Sequence, residues 1–444
     1  MNAPDTGRNR SLDAAVAALE ERYVGANPKS HAQFDTSVNT MPGANTRSVL
    51  YYDPFPVTLV GGEGATVTDL DGHTYIDFLG EYTAGLYGHS DPTIAAAVRE
   101  ALAAGTVLGG PNPYEAELAT LMCQRFPSVE RVRFCNSGTE GNLMALSLAR
   151  VATGRDTIMV FDGAYHGGVF YYAHGGSPMN VPFPTVVGDY NDADRARALI
   201  TEHAADLAAI IVEPMMGSGG GIAGTPEFLG ALRAEADRHG IVLVFDEVMT
   251  SRLAPGGLQE RLGILPDLTS FGKYLGGGLT FGAFGGSAKL MGRFDPRSAD
   301  ALPHSGTYNN NMLTMAAGAA GLRDVFTPQA AARLNKSGDR LRRRLQSAAS
   351  SAGVPAQISG VGSILAVHFQ ERPITRPADT EDTPLAARKL FHLAMLHEGL
   401  YLARRGFISL SLPLEAADYD RFVAGFETFL NEHGDLLERG PTNA

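Results

Sequence analysis

Cysteine and long apolar runs are both scarce in this sequence of 444 residues. The two cysteines, Cys123 and Cys135, belong to no CxxC pair, so we expect neither a disulfide framework nor a metal site. No stretch reaches the roughly 18 apolar residues of a membrane span, and the N-terminus lacks the apolar core of a signal peptide. These absences predict a protein of a reducing compartment, the cytoplasm, with no membrane partner.

Basic charge is also in short supply. The formal net charge is −12, whereas a nucleic-acid-binding protein presents a basic surface, so we expect no nucleic-acid partner. Only five of the 36 basic residues are lysines, and Lys273 lies in the apolar and glycine-rich segment SFGKYLGGG (270–278). Arginine keeps its proton at neutral pH, whereas a desolvated lysine can lose it. Lys273 is therefore a candidate reactive amine, the alternative being a surface lysine whose stem packs on the fold.

The middle of the chain alternates short apolar runs with helix-like ones. The apolar runs are RVRFCNS (131–137), TIMVFDG (157–163), PTVVGDY (184–190), LAAIIVEP (207–214) and IVLVFDEV (241–248). Near-continuous Val, Ile and Phe is typical of parallel strands covered on both faces by helices, which predicts an α/β fold. We expect three segments: residues 1–65, which join a smaller domain, a large domain over 66–327, and a small α+β domain over 328–444.

Two segments carry groups suited to a charged ligand. In CNSGTEGN (135–142), between a predicted strand and a predicted helix, the small residues Ser137, Gly138 and Thr139 let N–H groups and hydroxyls converge on a phosphate. An ordinary helix N-cap is the alternative. FDEV (245–248) ends a strand with Asp246, at the sheet edge where α/β folds bind ligands, unless the segment only begins a solvated loop.

Two further segments contribute an aromatic ring and a glycine loop. GAYHGG (163–168) places Tyr165 and His166 after a strand, where a ring can stack on a planar ligand or simply complete the core. GGGIAG (219–224) fits the dinucleotide fingerprint, but the turn before it is too long, so we interpret it as a glycine loop. A phosphate cradle, a stacking ring, a strand-end aspartate and a lysine are together what pyridoxal 5′-phosphate (PLP) requires.

From MPGANTR (41–47) to LYLARRGFISLS (400–411), the sequence resembles the class III (omega) aminotransferases of PLP fold type I. It is most similar to the branch that contains glutamate-1-semialdehyde aminomutase and the β-amino acid (β-phenylalanine-type) aminotransferases. The most specific shared segment is PDLTSFGKYLGGGLTFGAFGG (266–286). The resemblance implies a large domain with a mostly parallel, seven-stranded sheet, PLP as cofactor, and a homodimer with shared active sites.

The resemblance also implies roles for individual residues. Lys273 would hold the aldehyde of the cofactor and carry protons, and Asp246 would pair with the pyridinium nitrogen. Val248 and Tyr165 would pack on the two faces of the ring, and Glu213 would lie on the side of the ring hydroxyl. The remaining predicted cofactor residues are Ser137, Gly138, Thr139 and His166, together with Thr307 of HSGTYN, which would reach the phosphate from the neighbouring subunit.

Two departures favour a transaminase over an aminomutase. The loop at 171–187 is too short to match the gating loop of the aminomutases, and aminomutase-like sequences lack the paired arginines of ARRGF. Arginine grips carboxylates bidentately, and a transaminase must admit both a donor and a carboxylic acceptor. The predicted substrate residues are Arg47, Tyr82, Met249 and Arg404, with Arg405 left open as the alternative to Arg404.

The predicted activity is a ping-pong transfer of the amino group of a β-amino acid, aromatic or aliphatic, to 2-oxoglutarate or pyruvate. β-Phenylalanine is the example donor. Two alternatives stay open at this point. One is an isomerase on the same scaffold, either glutamate-1-semialdehyde 2,1-aminomutase or a related racemase. The other is a PLP-binding regulatory domain without turnover.

Overall fold

The computed structural model describes residues 11–437, and helices and strands alternate through the middle of the chain. The strands are β1 (Leu59–Glu63), β2 (Thr66–Asp69), β3 (Thr74–Asp77), β4 (Arg131–Cys135), β5 (Thr157–Phe161), β6 (Thr185–Gly188), β7 (Leu207–Val212), β8 (Met215–Met216), β9 (Ile222–Ala223), β10 (Val242–Asp246), β11 (Leu268–Gly272), β12 (Gly282–Gly286), β13 (Gln357–Val361), β14 (Ile364–His368), β15 (Leu400–Tyr401) and β16 (Phe407–Ser409). The α-helices are α1 (Leu12–Ala26), α2 (Pro28–Ser37), α3 (Pro92–Ala104), α4 (Pro113–Arg125), α5 (Gly138–Thr153), α6 (Ala193–His203), α7 (Pro226–His239), α8 (Gly257–Leu262), α9 (Ala288–Met291), α10 (Met312–Ala320), α11 (Pro328–Ala352), α12 (Leu385–His397) and α13 (Ala416–Leu437).

The large sheet has seven strands in the order β4-β12-β11-β10-β7-β5-β6. β12 runs antiparallel to both of its neighbours, and the other neighbouring strands run parallel. This confirms the predicted α/β fold with a mostly parallel seven-stranded sheet. Because β7, β10 and β11 are adjacent and parallel, the residues that follow them meet at one edge of the sheet, where ligands bind in such folds.

Three smaller sheets complete the architecture. β1, β2, β3 and β15 form one sheet, β13, β14 and β16 a second, and β8 pairs with β9 in a third. The predicted boundary at residue 65 lies in the turn between β1 and β2, which pair with each other. The ends of the predicted segments, residues 1–10 and 438–444, lie outside the described residues, and the division into domains stays a prediction.

The glycine segment GGGIAG is the turn and second strand of a β-hairpin. β8 and β9 pair antiparallel, with Met216 opposite Ile222, and Gly220 and Gly221 take positive φ values of 115° and 69° in the turn between them. A dinucleotide fingerprint needs a strand that leads directly into a helix. The hairpin interrupts that connection, so the interpretation as a glycine loop holds.

β12 has the composition GAFGG, which sequence reasoning did not identify as a strand. A Cβ on Gly282 would lie 2.0 Å from the backbone oxygen of Ser137, and one on Gly286 would lie 2.3 Å from the backbone oxygen of Asp267. On the facing helix, a Cβ on Gly141 would lie 2.7 Å from the backbone oxygen of Ala283. Glycine therefore serves here to let α5 and the backbone just before β11 approach β12 closely.

One further observation concerns membranes. Within residues 11–437, no helix combines the length and the apolar character that crossing a bilayer requires.

Substitution of Gly282 tests the close approach of α5 to β12. Gly282→Ala places a methyl group against the backbone of Ser137, and we expect it to lower the free energy of unfolding by about 1–3 kcal/mol through overpacking. Gly230→Ala is the matched control, because Gly230 lies inside α7 with open space around its Cβ position. It should stabilise the protein by up to about 1 kcal/mol. Urea denaturation measures both, and equal stabilities for the two variants would contradict the packing described.

Candidate active site

Lys273 follows directly on β11, at the ligand-binding edge of the large sheet. It is partly buried, and its φ of 56° lies in the left-handed region that residues other than glycine seldom adopt. The preceding residue must be small, because a Cβ on Gly272 would lie 3.0 Å from Cγ1 of Val248 and 3.4 Å from the backbone of Gly138. The glycine and the strained backbone aim the lysine into the space between β10 and the start of α5.

The surroundings of Lys273 favour its neutral form. Burial lowers the pKa of Lys273 to about 8, against the opposing effect of the carboxylates of Asp246 and Glu213. The positive charges of Arg47 and Arg405 lower the same pKa further. Among the ion pairs of the described residues none includes Lys273, so its amine is available to react. A deprotonated amine is what a nucleophilic lysine needs.

Asp246, the last residue of β10, is a buried carboxylate that accepts hydrogen bonds at both oxygens. Its Oδ2 accepts from Nδ1 of His166 at 2.8 Å and from Nδ2 of Asn142 at 2.8 Å. Its Oδ1 accepts from the backbone N–H of Val248 at 3.0 Å. Burial alone would raise the pKa of Asp246, but the hydrogen bond and charge of His166 hold it below its usual value. Asp246 is therefore ionised in the protein interior.

Two partners of this carboxylate differ in how far the sequence pointed to them. His166 was predicted as a cofactor residue from GAYHGG, and the structure makes it the direct partner of Asp246. Asn142 was not predicted, although it ends the quoted segment CNSGTEGN. It lies in α5 and also donates to the backbone oxygen of His166 at 2.9 Å. The sequence signal for Asn142 is its position in the second turn of α5, where an amide side chain stands between the small Gly141 and the apolar Leu143.

Glu213 and Glu247 are two more buried acids with different surroundings. Glu213, after β7, accepts from the backbone N–H groups of Tyr165 at 3.0 Å and Gly217 at 3.1 Å. Burial, together with the charge of Asp246, raises the pKa of Glu213. Glu247 faces away from this site and accepts from the backbone N–H of Leu258 at 2.7 Å. It thereby binds the start of α8, a structural role that sequence reasoning missed.

The predicted phosphate cradle lies at the start of α5, close to Lys273 and Asp246. The hydroxyl of Ser137 caps the helix by accepting from the backbone N–H of Glu140 at 3.2 Å, so the N-cap alternative is realised by this side chain. A Cβ on Gly138 would lie 2.6 Å from Cγ2 of Val248, and one on Gly167 would lie 2.2 Å from Oγ1 of Thr139. The cradle, the ring-packing valine and the loop that carries His166 are therefore in mutual contact.

Two predicted cofactor residues are exposed in the single chain. Tyr165 keeps 43% of its surface exposed, and its ring lies 6.1 Å from the ring of Tyr171. Thr307 is exposed in the loop before α10. The same loop is anchored beside the cradle, because Nδ2 of Asn136 donates to Oδ1 of Asn309 at 2.9 Å. The role of Thr307 toward a neighbouring subunit stays a prediction.

Tyr82 organises the predicted substrate side of the site. The guanidinium carbon of Arg47 lies 5.9 Å from the centre of its ring, and that of Arg405 lies 5.3 Å away. The ring also stacks on Phe407, with centroids 5.8 Å apart. Met249, the weaker candidate, packs against Gly217, where a Cβ would lie 2.4 Å from its sulfur. Tyr82 and Met249 pack in one hydrophobic cluster, and the charge of Arg47 acts on Lys273. The roles of these three residues toward a substrate stay predictions.

The adjacent arginines Arg404 and Arg405 have different surroundings. Arg404 is bound to Asp53, with Nη1 and Oδ1 2.8 Å apart, whereas Arg405 faces Tyr82 and donates to Oγ of Ser218 at 3.3 Å. Burial lowers the pKa of Arg405. Its Nε is buried without a hydrogen-bond partner, so this N–H can still donate to a ligand. Arg405 is therefore better placed than Arg404 for a substrate carboxylate, and the assignment of either arginine stays a prediction. Arg47 also has an acid partner, because its Nη1 is ion-paired with Oε1 of Glu81.

The donor set fits PLP. Glycines at positions 138 and 272 let the start of α5 and the end of β11 pack closely against Val248, since a Cβ at either position would crowd that side chain. Asp246 is ionised and so suits a protonated pyridine nitrogen, and the lowered pKa of Lys273 suits bonding to an aldehyde. When bound, PLP supplies an electron sink that stabilises negative charge at the substrate carbon. The residues that would hold it are Ser137, Gly138, Thr139, Tyr165, His166, Glu213, Asp246, Val248 and Lys273.

The pKa of Lys273 makes covalent capture of PLP by the cofactor-free protein pH-dependent. Only the neutral amine reacts, so the capture rate should rise about tenfold per pH unit below pH 8 and level off above it. Stopped-flow absorbance measures this rate. N-acetyl-lysine amide is the control, because an unperturbed lysine amine titrates near pH ~10.4 and its rate should keep rising to that value. A protein profile that coincides with the control would contradict the lowered pKa.

Comparison with known proteins agrees with this site. The family model for class-III aminotransferases matches residues 50–429. The β-phenylalanine transaminase of Variovorax paradoxus is 51% identical over 429 residues, 97% of this chain and 99% of the relative. The crystal structure of a β-phenylalanine aminotransferase from that organism gives a TM-score of 0.95 and covers 97% of this chain and 100% of its own.

More distant relatives share the same architecture. Glutamate-1-semialdehyde 2,1-aminomutase 2 of Brevibacillus brevis is 38% identical over 380 residues, 82% of this chain and 88% of the relative. A solved transaminase with PLP bound is 34% identical, with a TM-score of 0.85, and covers 93% of this chain and 99% of its own. The resemblance seen in the sequence is confirmed: the chain belongs to the class III aminotransferases, PLP-dependent enzymes that move an amino group from a donor to a keto acid.

Proposed function

We propose that this transaminase takes the amino group of a β-amino acid with an aromatic or aliphatic side chain, such as β-phenylalanine, and passes it to 2-oxoglutarate or pyruvate. The observation that carries the proposal is a pair of arginines, Arg47 and Arg405, that both contact the ring of Tyr82. The positive charges of both arginines lower the pKa of Lys273. Both cations act electrostatically on the amine of Lys273, and cations placed in this way suit substrates that bear carboxylates. The named activity of the 51% identical relative supports the same donor class.

In this proposal each residue has a defined task. The amine of Lys273 holds the cofactor at rest and then takes the proton from the substrate carbon that bears the amino group. Asp246 keeps the cofactor nitrogen protonated, with His166 and Asn142 fixing its carboxylate. Glu213, which accepts from the backbone N–H of Tyr165, would lie on the side of the ring hydroxyl. In the second half-reaction Lys273 delivers a proton to the corresponding carbon of the acceptor.

The homodimer and the cytoplasmic location also stand as proposals. Large apolar side chains near the Thr307 loop are exposed in the single chain, including Tyr308 at 60% and Leu279 at 38%. A second copy that covers them would also bring Thr307 toward a neighbouring cradle. Sedimentation of the enzyme as a monomer at assay concentration would rule this out. The two cysteines are free thiols, which suits a reducing compartment.

A substrate assay tests the proposed activity against the isomerase alternative. Purified enzyme with β-phenylalanine and 2-oxoglutarate should form glutamate, and pyruvate as acceptor should form alanine. Glutamate-1-semialdehyde without an acceptor is the matched reaction for an aminomutase. Conversion of that compound, with no glutamate or alanine from β-phenylalanine, would overturn the proposal. A domain without turnover would show no change in cofactor absorbance on addition of any amine.

The two neighbouring arginines provide a matched pair of variants. Arg405→Met should lower kcat/KM for both carboxylate substrates roughly 10- to 100-fold, because a hydrogen bond to a charged group contributes about 1.5–3 kcal/mol. Arg404→Met removes the same charge from a site bound to Asp53 and should change kcat/KM less than about threefold. Steady-state kinetics with each substrate varied in turn decides the matter. A larger loss in the Arg404 variant would restore the original assignment.

A further inference from the structure

Arg252 is the largest side chain that the described chain buries completely, with an exposed fraction of 0%. All three of its guanidinium nitrogens donate. Nε donates to Oγ of Ser363 at 3.1 Å, and Nη1 donates to Oγ of Ser409 at 3.1 Å and to the backbone oxygen of Thr83 at 3.4 Å. Nη2 donates to the backbone oxygen of Leu410. One side chain thus connects the segment after β10 with the residues around Thr83 and with β16.

This guanidinium has no carboxylate partner in the described part of the chain. Burial lowers the pKa of Arg252 to about 10, and the residues whose charges oppose this shift are the tyrosines Tyr274, Tyr419 and Tyr87. A buried cation that only neutral oxygens surround is costly to desolvate. Its retention at the junction of three segments therefore points to a task other than ion pairing.

The segment that Arg252 binds is strained. Glu81, Tyr82 and Thr83 have φ values of 46°, 51° and 83°, three consecutive left-handed residues that are not glycine. Such residues normally occur singly and persist in a run only where the surroundings over-determine them. The carboxylate of Asp77 holds the start of this turn by accepting from the backbone N–H of Gly80 at 2.9 Å. Arg252 holds its end through the carbonyl of Thr83.

Both segments that Arg252 fixes carry the substrate side of the site. The strained turn presents Tyr82, whose ring centre lies within 6 Å of the guanidinium carbons of Arg47 (5.9 Å) and Arg405 (5.3 Å). β16 presents Phe407, which stacks on that ring and lies 5.4 Å from the guanidinium carbon of Arg405. Release of either segment would move the ring relative to the two cations.

We propose that Arg252 is a positioning residue for carboxylate recognition: it clamps the left-handed turn and β16 so that Tyr82 holds Arg47 and Arg405 at the reactive lysine. This inference rests on the proposed function of the arginine pair. Arg252 touches neither the cofactor site nor the substrate side directly, and acts through Thr83, Ser409 and Leu410.

The test uses the holoenzyme and a ligand that cannot react. 3-Phenylpropionate has the ring and the carboxylate of the proposed donor but no amine, and its Kd is measured by calorimetry. Arg252→Met, of similar volume and without donors, should weaken binding about tenfold while the absorbance of the bound cofactor stays unchanged. Arg252→Lys keeps the charge with fewer donors, and its Kd should lie between those of the wild-type enzyme and of Arg252→Met. In turnover, KM for both substrates should rise more than kcat falls.

Arg233→Met is the matched control, because Arg233 of α7 pairs with Asp237 of the same helix and with Asp267, which precedes β11. It should lower thermal stability without changing Kd. An unchanged Kd in folded Arg252→Met, or an equal loss of affinity in the control, would overturn the inference. If Arg252→Met does not fold, Ser409→Ala removes one bond of the clamp. A several-fold weaker Kd then supports the proposal, and an unchanged one overturns it.

The wild-type enzyme separates this failure from a failure of the proposed function. If wild-type enzyme does not bind 3-phenylpropionate and its cofactor absorbance does not change with β-phenylalanine, the proposed substrate class is wrong. If wild-type enzyme does both and Arg252→Met binds equally well, only the role of Arg252 is wrong.

Discussion

The ionised carboxylate of Asp246 is the constraint on which the site depends. A buried acid remains charged only if hydrogen bonds and a nearby cation offset its desolvation. Here His166, Asn142 and the backbone of Val248 do so, and each comes from a different part of the sheet edge. These contacts fix α5, the loop after β5 and the end of β10 relative to one another. The predicted phosphate cradle and Val248 are placed as a result.

The reactive lysine depends on a balance of opposite effects around the same carboxylate. Burial and two arginines lower its pKa, while Asp246 and Glu213 raise it. Burial exceeds the contribution of the acids, which leaves an amine that is partly neutral near physiological pH. Arginine could not replace it, since the guanidinium keeps its proton.

The sequence predicted the large sheet well because central parallel strands such as β7 and β10 are near-continuous apolar runs that are buried throughout. It missed β12, whose glycines reflect close contact with α5 rather than strand propensity. Motif order brought Lys273, Asp246, His166 and Glu213 together, because parallel strands end at one edge. Arg404 and Arg405 could not be told apart, since the turn that ends at Gly406, with a φ of 82°, decides which one faces Tyr82. Arg252 acts through tertiary hydrogen bonds that no local pattern encodes, and Asn142 binds an aspartate that is distant in the sequence.

Depth within the protein also determines how the site responds to dissolved ions. Mobile counter-ions weaken interactions between exposed charges over about 10 Å at 0.1 M salt, but they act much less on charges enclosed by protein. Asp246 and Glu213 are enclosed in this way, with only 4% of each residue exposed. Ion pairs at the surface, such as Arg404 with Asp53, weaken as salt is added, whereas the field at Lys273 changes little. The proton affinity of the reactive amine is thereby buffered against the ionic composition of its surroundings.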